Sequence, residues 1–314
     1  MSAPLLELAH VTRDFAVPAG RLRAVEDVSF SLAAGETIGV VGESGCGKTT
    51  LGRMILRLLA PTAGRISFRG EDITHRTERA LKPVRGALQA VFQDPVSSLN
   101  PRLRVRDIIG EPLVNRGGPR DARAERIAEL LSIVGLPGDA GGRFPHEFSG
   151  GQRQRIAIAR ALSVNPALIV CDEAVSALDL SVQAQILNLL RDLQTRYQLA
   201  LLFISHNLGA VRHVSHRVAV MYLGRLVELA PESELFSRPL HPYSMALLAA
   251  VPEPRLDQVP APALAGEVPS PLTPPAACHF HPRCPRAEAR CRSETPQLRP
   301  IVGTGALVRC HFPG

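Results

Sequence analysis

Residues Thr37 to Leu59 constrain the fold more than any other stretch of the chain. An apolar run, Thr37-Ile38-Gly39-Val40-Val41, suits a buried strand; Gly42-Glu43-Ser44-Gly45-Cys46-Gly47-Lys48-Thr49-Thr50 follows, and Leu51 to Leu59 reads as a helix. A glycine-rich loop between a strand and a helix is a phosphate-binding unit of α/β proteins. Its glycines let successive backbone N–H groups converge on phosphate oxygens where the helix dipole favours negative charge. Gly42, Ser44, Gly45, Cys46, Gly47 and Thr50 then line the anion and Lys48 reaches its outer phosphates. Thr49 places a hydroxyl on Mg²⁺, a hard cation that prefers oxygen. The plain alternative is a glycine-rich turn with a chance lysine. Against it, Lys48 and Lys82 are the only lysines among 36 basic residues, so position 48 calls for a compact ammonium.

With 314 residues and 45% hydrophobic content, the chain can bury one large α/β domain plus an appendage, or two domains. The net charge of +7 is scattered without a basic stripe and aromatics make up only 4%, which argues against nucleic acid as a partner. Met1-Ser-Ala-Pro-Leu-Leu-Glu-Leu lacks the charged start and apolar core of a signal peptide, and no apolar run approaches the ~18 residues of a membrane span. The expectation is a soluble chain that stays in the cytoplasm. Cys46 lies in the loop and Cys171 in an apolar run, while Cys278, Cys284, Cys291 and Cys310 cluster in the tail. In a cytosolic chain such a cluster suggests metal before disulfides.

Leu5 to Val11 and Val25 to Leu32 read as strands of an antiparallel edge. Phe15, between them, either stacks on an adenine ring or is an ordinary core phenylalanine. Arg65 to Phe68 and Leu88 to Phe92 are further strands, and Gln93-Asp94-Pro95 breaks the pattern. Gln93 is thereby left at the mouth of a sheet, to reach Mg²⁺ or water, or to face solvent in a turn. Ile127, Leu130, Leu131 and Val134 form the packing face of a helix over Arg120 to Val134, within a helical insert. In Phe148-Ser149-Gly150-Gly151-Gln152, Ser149 is an N-cap and the glycines expose N–H groups, so the helix from Gln152 to Leu162 offers a second anion-binding end; a plain capped helix is the alternative. The strand Leu168 to Cys171 ends in Asp172, placed for hydrated Mg²⁺, and Glu173, placed to polarise water. Ser176-Ala177-Leu178-Asp179 opens a helix from Ser181 to Tyr197. Ala200 to Ile204 is the next strand, and His206 lies just past its end, where contact with a γ-phosphate is plausible.

In their order and approximate spacing these motifs resemble those of ATP-binding cassette (ABC) ATPases, over about Leu5 to Ala230. In that family's terms the glycine loop is Walker A, Phe148 to Gln152 the signature and Leu168 to Glu173 Walker B. Phe148 stands where many members have leucine, and Asn207 where aspartate often follows the switch histidine; neither change removes a phosphate ligand. The resemblance implies an α/β fold: an ABC-type P-loop ATPase domain at 5–235 with a mixed core sheet flanked by helices, an antiparallel β edge and a helical insert at about 94–165. It implies ATP and Mg²⁺, with Thr49, Gln93 and Asp172 around the metal, Glu173 as base, and Gln93 and His206 positioning water and γ-phosphate. Asp179 belongs to the same site. Ser149, Gly151 and Gln152 would act on the ATP of a second cassette, identical or related, in a head-to-tail dimer.

Three stretches, Phe92 to Pro101, Phe144 to Arg155 and His241 to Leu248, are similar to those of oligopeptide/dipeptide permease ATPase subunits of bacteria. That resemblance runs nearly to Gly314. It implies two separate membrane-spanning permease subunits, an extracytoplasmic solute-binding protein and a peripheral seat on the cytoplasmic face of the membrane. A dipeptide or oligopeptide is the expected solute, with nickel or glutathione as alternatives for the same ATPase role. A soluble cassette ATPase of DNA repair or translation would show a long coiled-coil insert or two cassettes in one chain, and neither is present. A nucleotide-holding subunit without turnover is opposed by Glu173.

Past Ala230 the composition changes. Twelve of the 27 prolines fall between Pro252 and Pro300, which predicts a short helix from Tyr243 to Ala250 and then, over the rest of the 236–314 extension, an irregular tail held by something other than a core. The C-x5-C-x6-C-x18-C spacing of the tail suits zinc, an iron–sulfur cluster or four free thiols. Zinc folds use tighter pairs, and the resemblance to members with a similar cysteine set implies a [4Fe–4S] cluster.

Overall fold

The computed structural model describes residues 3–18, 20–94, 98–117, 119–250 and 266–314. Pro95 and the prolines between 251 and 265 lie outside them. The chain divides into two compact units, one built from residues 1–32, 38–74 and 206–314, the other from 33–37 and 75–205.

Strands β1 (Leu6–Val17) and β2 (Gly20–Leu32) form a long hairpin in register from Leu6 opposite Leu32 to Val17 opposite Gly20. Both outrun the predicted strands, because register shifts between Leu8 and Asp14 break the period-two alternation while the ladder continues. The buried carboxylate of Asp14 is offset by the guanidinium groups of Arg21 and Arg23. Strand β3 (Thr37–Val41) is buried at all five positions and precedes α1 (Lys48–Ile55), β4 (Ala63–Phe68) and β5 (Glu71–Asp72). Helix α1 starts earlier than predicted because Gly47, at φ 103, turns the loop straight into it. It also stops earlier, where Arg57 adopts φ 53 and donates to the carbonyls of Ile73 and Leu59.

The middle of the chain contributes α2 (Glu78–Arg85), β6 (Leu88–Val91), α3 (Val105–Arg116), α4 (Arg120–Ile133) and α5 (Gly150–Leu162). Then come β7 (Leu168–Asp172), α6 (Leu180–Tyr197) and β8 (Ala200–Ile204). Sequence patterning gives no signal for α2 and α3, which contain Pro83 and Pro112, residues that normally interrupt a helix. Strands β6, β7 and β8 are parallel, with Val91 level with Cys171 and Asp172 level with Ile204. Both β7 and β8 are buried throughout, as expected for apolar runs in a parallel sheet.

The chain returns through α7 (Leu208–Val214), β9 (Arg217–Tyr222), β10 (Arg225–Pro231), α8 (Glu232–Ser237) and α9 (Pro242–Ala249). It ends with α10 (Ala289–Ser293) and the two-residue strands β11 (Arg299–Pro300) and β12 (Leu307–Val308). Within the first unit, β2, β1, β4 and β5 make one antiparallel sheet. The second sheet is mixed: β3 and β9 pair in parallel, and β10, β12 and β11 add antiparallel. No helix among the described residues is long and apolar enough to cross a membrane.

The tail corrects one expectation, since it does have a core. Phe280 (1% exposed) sits with Tyr222 and Tyr243 at ring-centroid distances of 5.2 and 5.5 Å, and Val308 on β12 is fully buried. Isolated apolar residues between prolines carry no periodic signal, so this packing is invisible in the sequence. Arg309 adds donors to the carbonyl of Leu226 and to Asp27.

Buried polar groups fix where α9 begins. The Glu228 carboxylate accepts from the N–H groups of Leu240 and His241 at 2.9 and 2.8 Å, and His241 Nδ1 caps the helix by accepting from Tyr243 N–H at 3.0 Å. Burial pushes the His241 pKa down from 6.5 to about 3, and the His279 pKa down to about 4. Unfolded histidine takes up a proton that the folded form refuses. The resulting stability is therefore complete above about pH 6.5 and is lost as pH falls toward the folded values. Burial raises the Glu228 pKa, which acts in the opposite sense. At about 1.4 kcal/mol per pH unit, His241 alone should cost about 2 kcal/mol between pH 6.5 and 5. His241→Asn keeps a cap acceptor but cannot titrate, so urea denaturation at the two pH values should show a shallower loss by that amount. An unchanged pH dependence would remove His241 from the account.

Candidate nucleotide site and cysteine cluster

In the first unit the glycine loop leads from β3 into α1. Gly42 (φ 150) and Gly47 (φ 103) hold conformations reserved for glycine; a Cβ there would lie 2.2 Å from the Met221 carbonyl oxygen and 2.1 Å from that of Ala24. Ser44 and Gly45 are exposed at the tip, and Thr49 and Thr50 are half-buried in the first turn of α1. That turn has no acidic side chain and no side-chain cap, so its N–H groups offer an anion their positive end. Lys48 is 6% exposed, and its Nζ donates to the carbonyls of Gly42 (2.8 Å) and Glu43 (2.9 Å). Burial raises the Cys46 pKa, with Lys48 pulling the other way, which leaves a protonated and unreactive thiol. Phe15 is half-buried, not in the core, and the Arg13 guanidinium lies 4.6 Å from its ring centroid.

In the second unit Gln93, Asp172 and Glu173 share the carboxyl end of the parallel strands β6 and β7. Gln93 is exposed two residues past β6, and Asp172 is 9% exposed. Glu173 adopts φ 51, a left-handed conformation that costs a side-chain-bearing residue about 1–2 kcal/mol. Its N–H donates to the Ile204 carbonyl and its own carbonyl accepts from Ser176 Oγ, both at 2.9 Å. The strand thus ends in a held turn, and the second acid leaves it in a different direction from the first.

Ser149 opens α5 with a reciprocal cap: its N–H donates to Gln152 Oε1 at 3.0 Å and its Oγ accepts from Gln152 N–H at 3.4 Å. Both residues are exposed. Gly151 has a reason that the sequence did not reveal, since a Cβ there would lie 2.3 Å from Val182 Cγ1 on α6. The starts of α5 and α6 are therefore neighbours. Asp179 caps α6, accepting from Val182 N–H and Ser181 Oγ at 2.9 Å, and these bonds lower its pKa. His206, counted with the first unit, is exposed two residues past β8, and Asn207 caps α7 through Ala210 N–H at 3.1 Å. The asparagine thus does the capping that an aspartate would do.

All four tail cysteines line a single cavity, with Phe280, His281, Arg286 and His311, and none is in a disulfide. Burial raises the thiol pKa of Cys278 and Cys284, and that of Cys310 to about 11. Among the described residues no group of three or more His, Cys, Asp or Glu is arranged to hold a metal ion.

Two family models match the chain, that of the ABC transporter at residues 25–176 and that of the oligopeptide/dipeptide transporter C-terminal region at 227–291. The "Probable peptide ABC transporter ATP-binding protein y4tS" of Sinorhizobium fredii is 53% identical, over 99% of this chain and 90% of its own length. The chain belongs to the ABC transporter family. The oligopeptide transport ATP-binding protein AppF of Bacillus subtilis is 50% identical to this ABC protein, over 98% of this chain and 97% of its own. Among solved structures, cbiO1 of Clostridium perfringens, part of the ABC transporter complex cbiONQ, matches with a TM-score of 0.68 at 25% identity, over 76% of this chain and 92% of its own. The ATP-binding cassette MJ0796, solved as a dimer bound to ADP and Pi, matches with a TM-score of 0.66 at 26% identity, over 72% and 98%.

Proposed function

We propose that this ABC ATPase hydrolyses ATP at the cytoplasmic face of a bacterial membrane to drive import of dipeptides or oligopeptides. The extension carries the peptide assignment, because residues 227–291 match the oligopeptide/dipeptide transporter C-terminal region. Residues 5–235 act as the cassette and 236–314 as the extension. Lys48 and the loop N–H groups neutralise the phosphates, Thr49, Asp172 and Gln93 hold Mg²⁺ and its waters, and Phe15 stacks on adenine. Glu173 takes the proton of the attacking water, and Gln93 and His206 orient that water and the γ-phosphate. Asp179 adjoins the same site. Ser149, Gly151 and Gln152 act on the ATP of a second cassette, and two permease subunits and a solute-binding protein complete the importer. Purification of the whole complex with its solute should yield peptide. Recovery of nickel or glutathione would keep the ATPase role and replace the cargo.

For the cysteine cavity we propose a [4Fe–4S] cluster. What supports this reading is that its four thiols are free and line one space, and thiolates are the ligands such a cluster takes. Cys278, Cys284, Cys291 and Cys310 would lose their protons to bind it, so uptake is favoured by rising pH. When bound, the cluster would cross-link the tail and stabilise it. Anaerobic purification should give a brown protein with iron and acid-labile sulfide, both lost in Cys284→Ser. A colourless preparation with stoichiometric zinc would replace the cluster by zinc, and one without metal would leave four thiols.

A further inference from the structure

Glu43, the second residue of the glycine loop, is held at every hydrogen-bonding group it has. Its N–H donates to Tyr243 Oη at 2.9 Å, and its carbonyl accepts from Lys48 Nζ at 2.9 Å. Its carboxylate receives both Arg283 N–H branches at 2.9 and 3.1 Å. Two of these anchors come from the tail, across 200 and 240 residues of sequence. Neither is a loose surface contact. The Arg283 side chain is 6% exposed, Tyr243 is fully buried, and the Tyr243 ring packs 4.7 Å from that of Tyr222 and 5.5 Å from that of Phe280. A bidentate guanidinium–carboxylate pair fixes direction as well as distance, which a lone lysine or a single hydrogen bond does not.

Lys48 is tied to the same peptide, since its ammonium bonds the carbonyls of Gly42 and Glu43. Whatever orients Glu43 therefore orients the carbonyls that hold the lysine. We propose that Arg283 and Tyr243 are positioning residues for the phosphate loop, so that the C-terminal extension sets the affinity of the ATP site without touching the nucleotide. This rests on the reading of the loop as that site. A loop held in its binding shape binds at its intrinsic affinity, whereas a loosened loop binds more weakly in proportion to the time it spends in that shape. Turnover of the bound nucleotide changes little, because neither tail residue meets the reacting atoms. The segment between Cys278 and Cys284 carries Arg283, so the thiol cavity and the loop clamp share one short stretch of backbone.

The test is steady-state hydrolysis and fluorescent-ATP binding by the full chain in the assembled transporter. Arg283→Gln should raise KM for Mg·ATP about tenfold and leave kcat within about twofold. Arg283→Lys should recover part of the loss, because it restores charge but not the fork. Glu43→Gln combined with Arg283→Gln should be no worse than Arg283→Gln alone, as expected for two halves of one interaction. Tyr243→Phe keeps the buried ring and removes only the acceptor, so a raised KM in that variant excludes misfolding as the cause. Unchanged KM in Arg283→Gln and Tyr243→Phe, with parental binding intact, would overturn the positioning role alone. Failure of the parent to bind Mg·ATP would overturn it together with the nucleotide site.

Discussion

Glu173→Gln is expected to keep Mg·ATP binding within about threefold of the parent while steady-state hydrolysis falls at least about a hundredfold, the usual share of a general base. The amide keeps the shape of the carboxylate and cannot accept a proton from water. The backbone turn is held through the main-chain groups of Glu173, by the Ile204 carbonyl and the Ser176 hydroxyl, and the substitution keeps both main-chain groups. Loss of activity would therefore be chemical and not structural. Nucleotide that binds and is not cleaved should also trap paired cassettes, visible by size-exclusion chromatography with ATP. Turnover near the parental rate would assign the base elsewhere.

The second large effect comes from Lys48 and Ser149. Lys48→Ala should abolish nucleotide binding, because it removes the buried ammonium assigned to the phosphates, the group that also donates to the Gly42 and Glu43 carbonyls. Ser149→Ala should leave binding to the isolated subunit intact and suppress hydrolysis, since its exposed helix start is assigned to the ATP of a facing subunit. Its cost to α5, about 1 kcal/mol for a lost cap, is too small to unfold the chain. In a head-to-tail pair made of one chain of each variant, one site carries both lesions and the other carries neither. If two copies of this chain pair, an equimolar mixture should regain roughly a quarter of the parental sites, since half the dimers are mixed and half their sites are intact. A Ser149→Ala subunit that fails to bind ATP on its own would place that serine in its own pocket.

The parts of the fold legible in the sequence are those where burial is uniform. Ala200–Ile204 matches its predicted strand residue for residue, because five consecutive buried positions admit no ambiguity of phase. Patterning ends the first strand of the hairpin at Val11, because bulges shift which residues face inward. Proline hid α2 and α3. At the candidate site, residue types single out Lys48, Asp172, Glu173 and Ser149 as candidates, because phosphate, Mg²⁺ and water each demand particular groups. Geometry supplied what types do not: the left-handed turn at Glu173, the capping by Asp179, and the close approach of Gly151 to Val182. Glu43 had no role in sequence, since its partners lie 200 residues or more away.

The first unit is discontinuous, and that has a consequence for how the protein is made. Its glycine loop is translated long before Tyr243, Arg283 and β12. The second unit, residues 33–37 apart, is one unbroken run from 75 to 205. On a ribosome the second unit is complete once residue 205 has emerged, whereas the first must wait with its loop unclamped. A chain arrested before residue 243 should resist limited proteolysis over 75–205 and be cut readily before residue 75. If Arg283 positions the loop as proposed, tight grip on nucleotide is acquired only when residue 283 has cleared the exit tunnel.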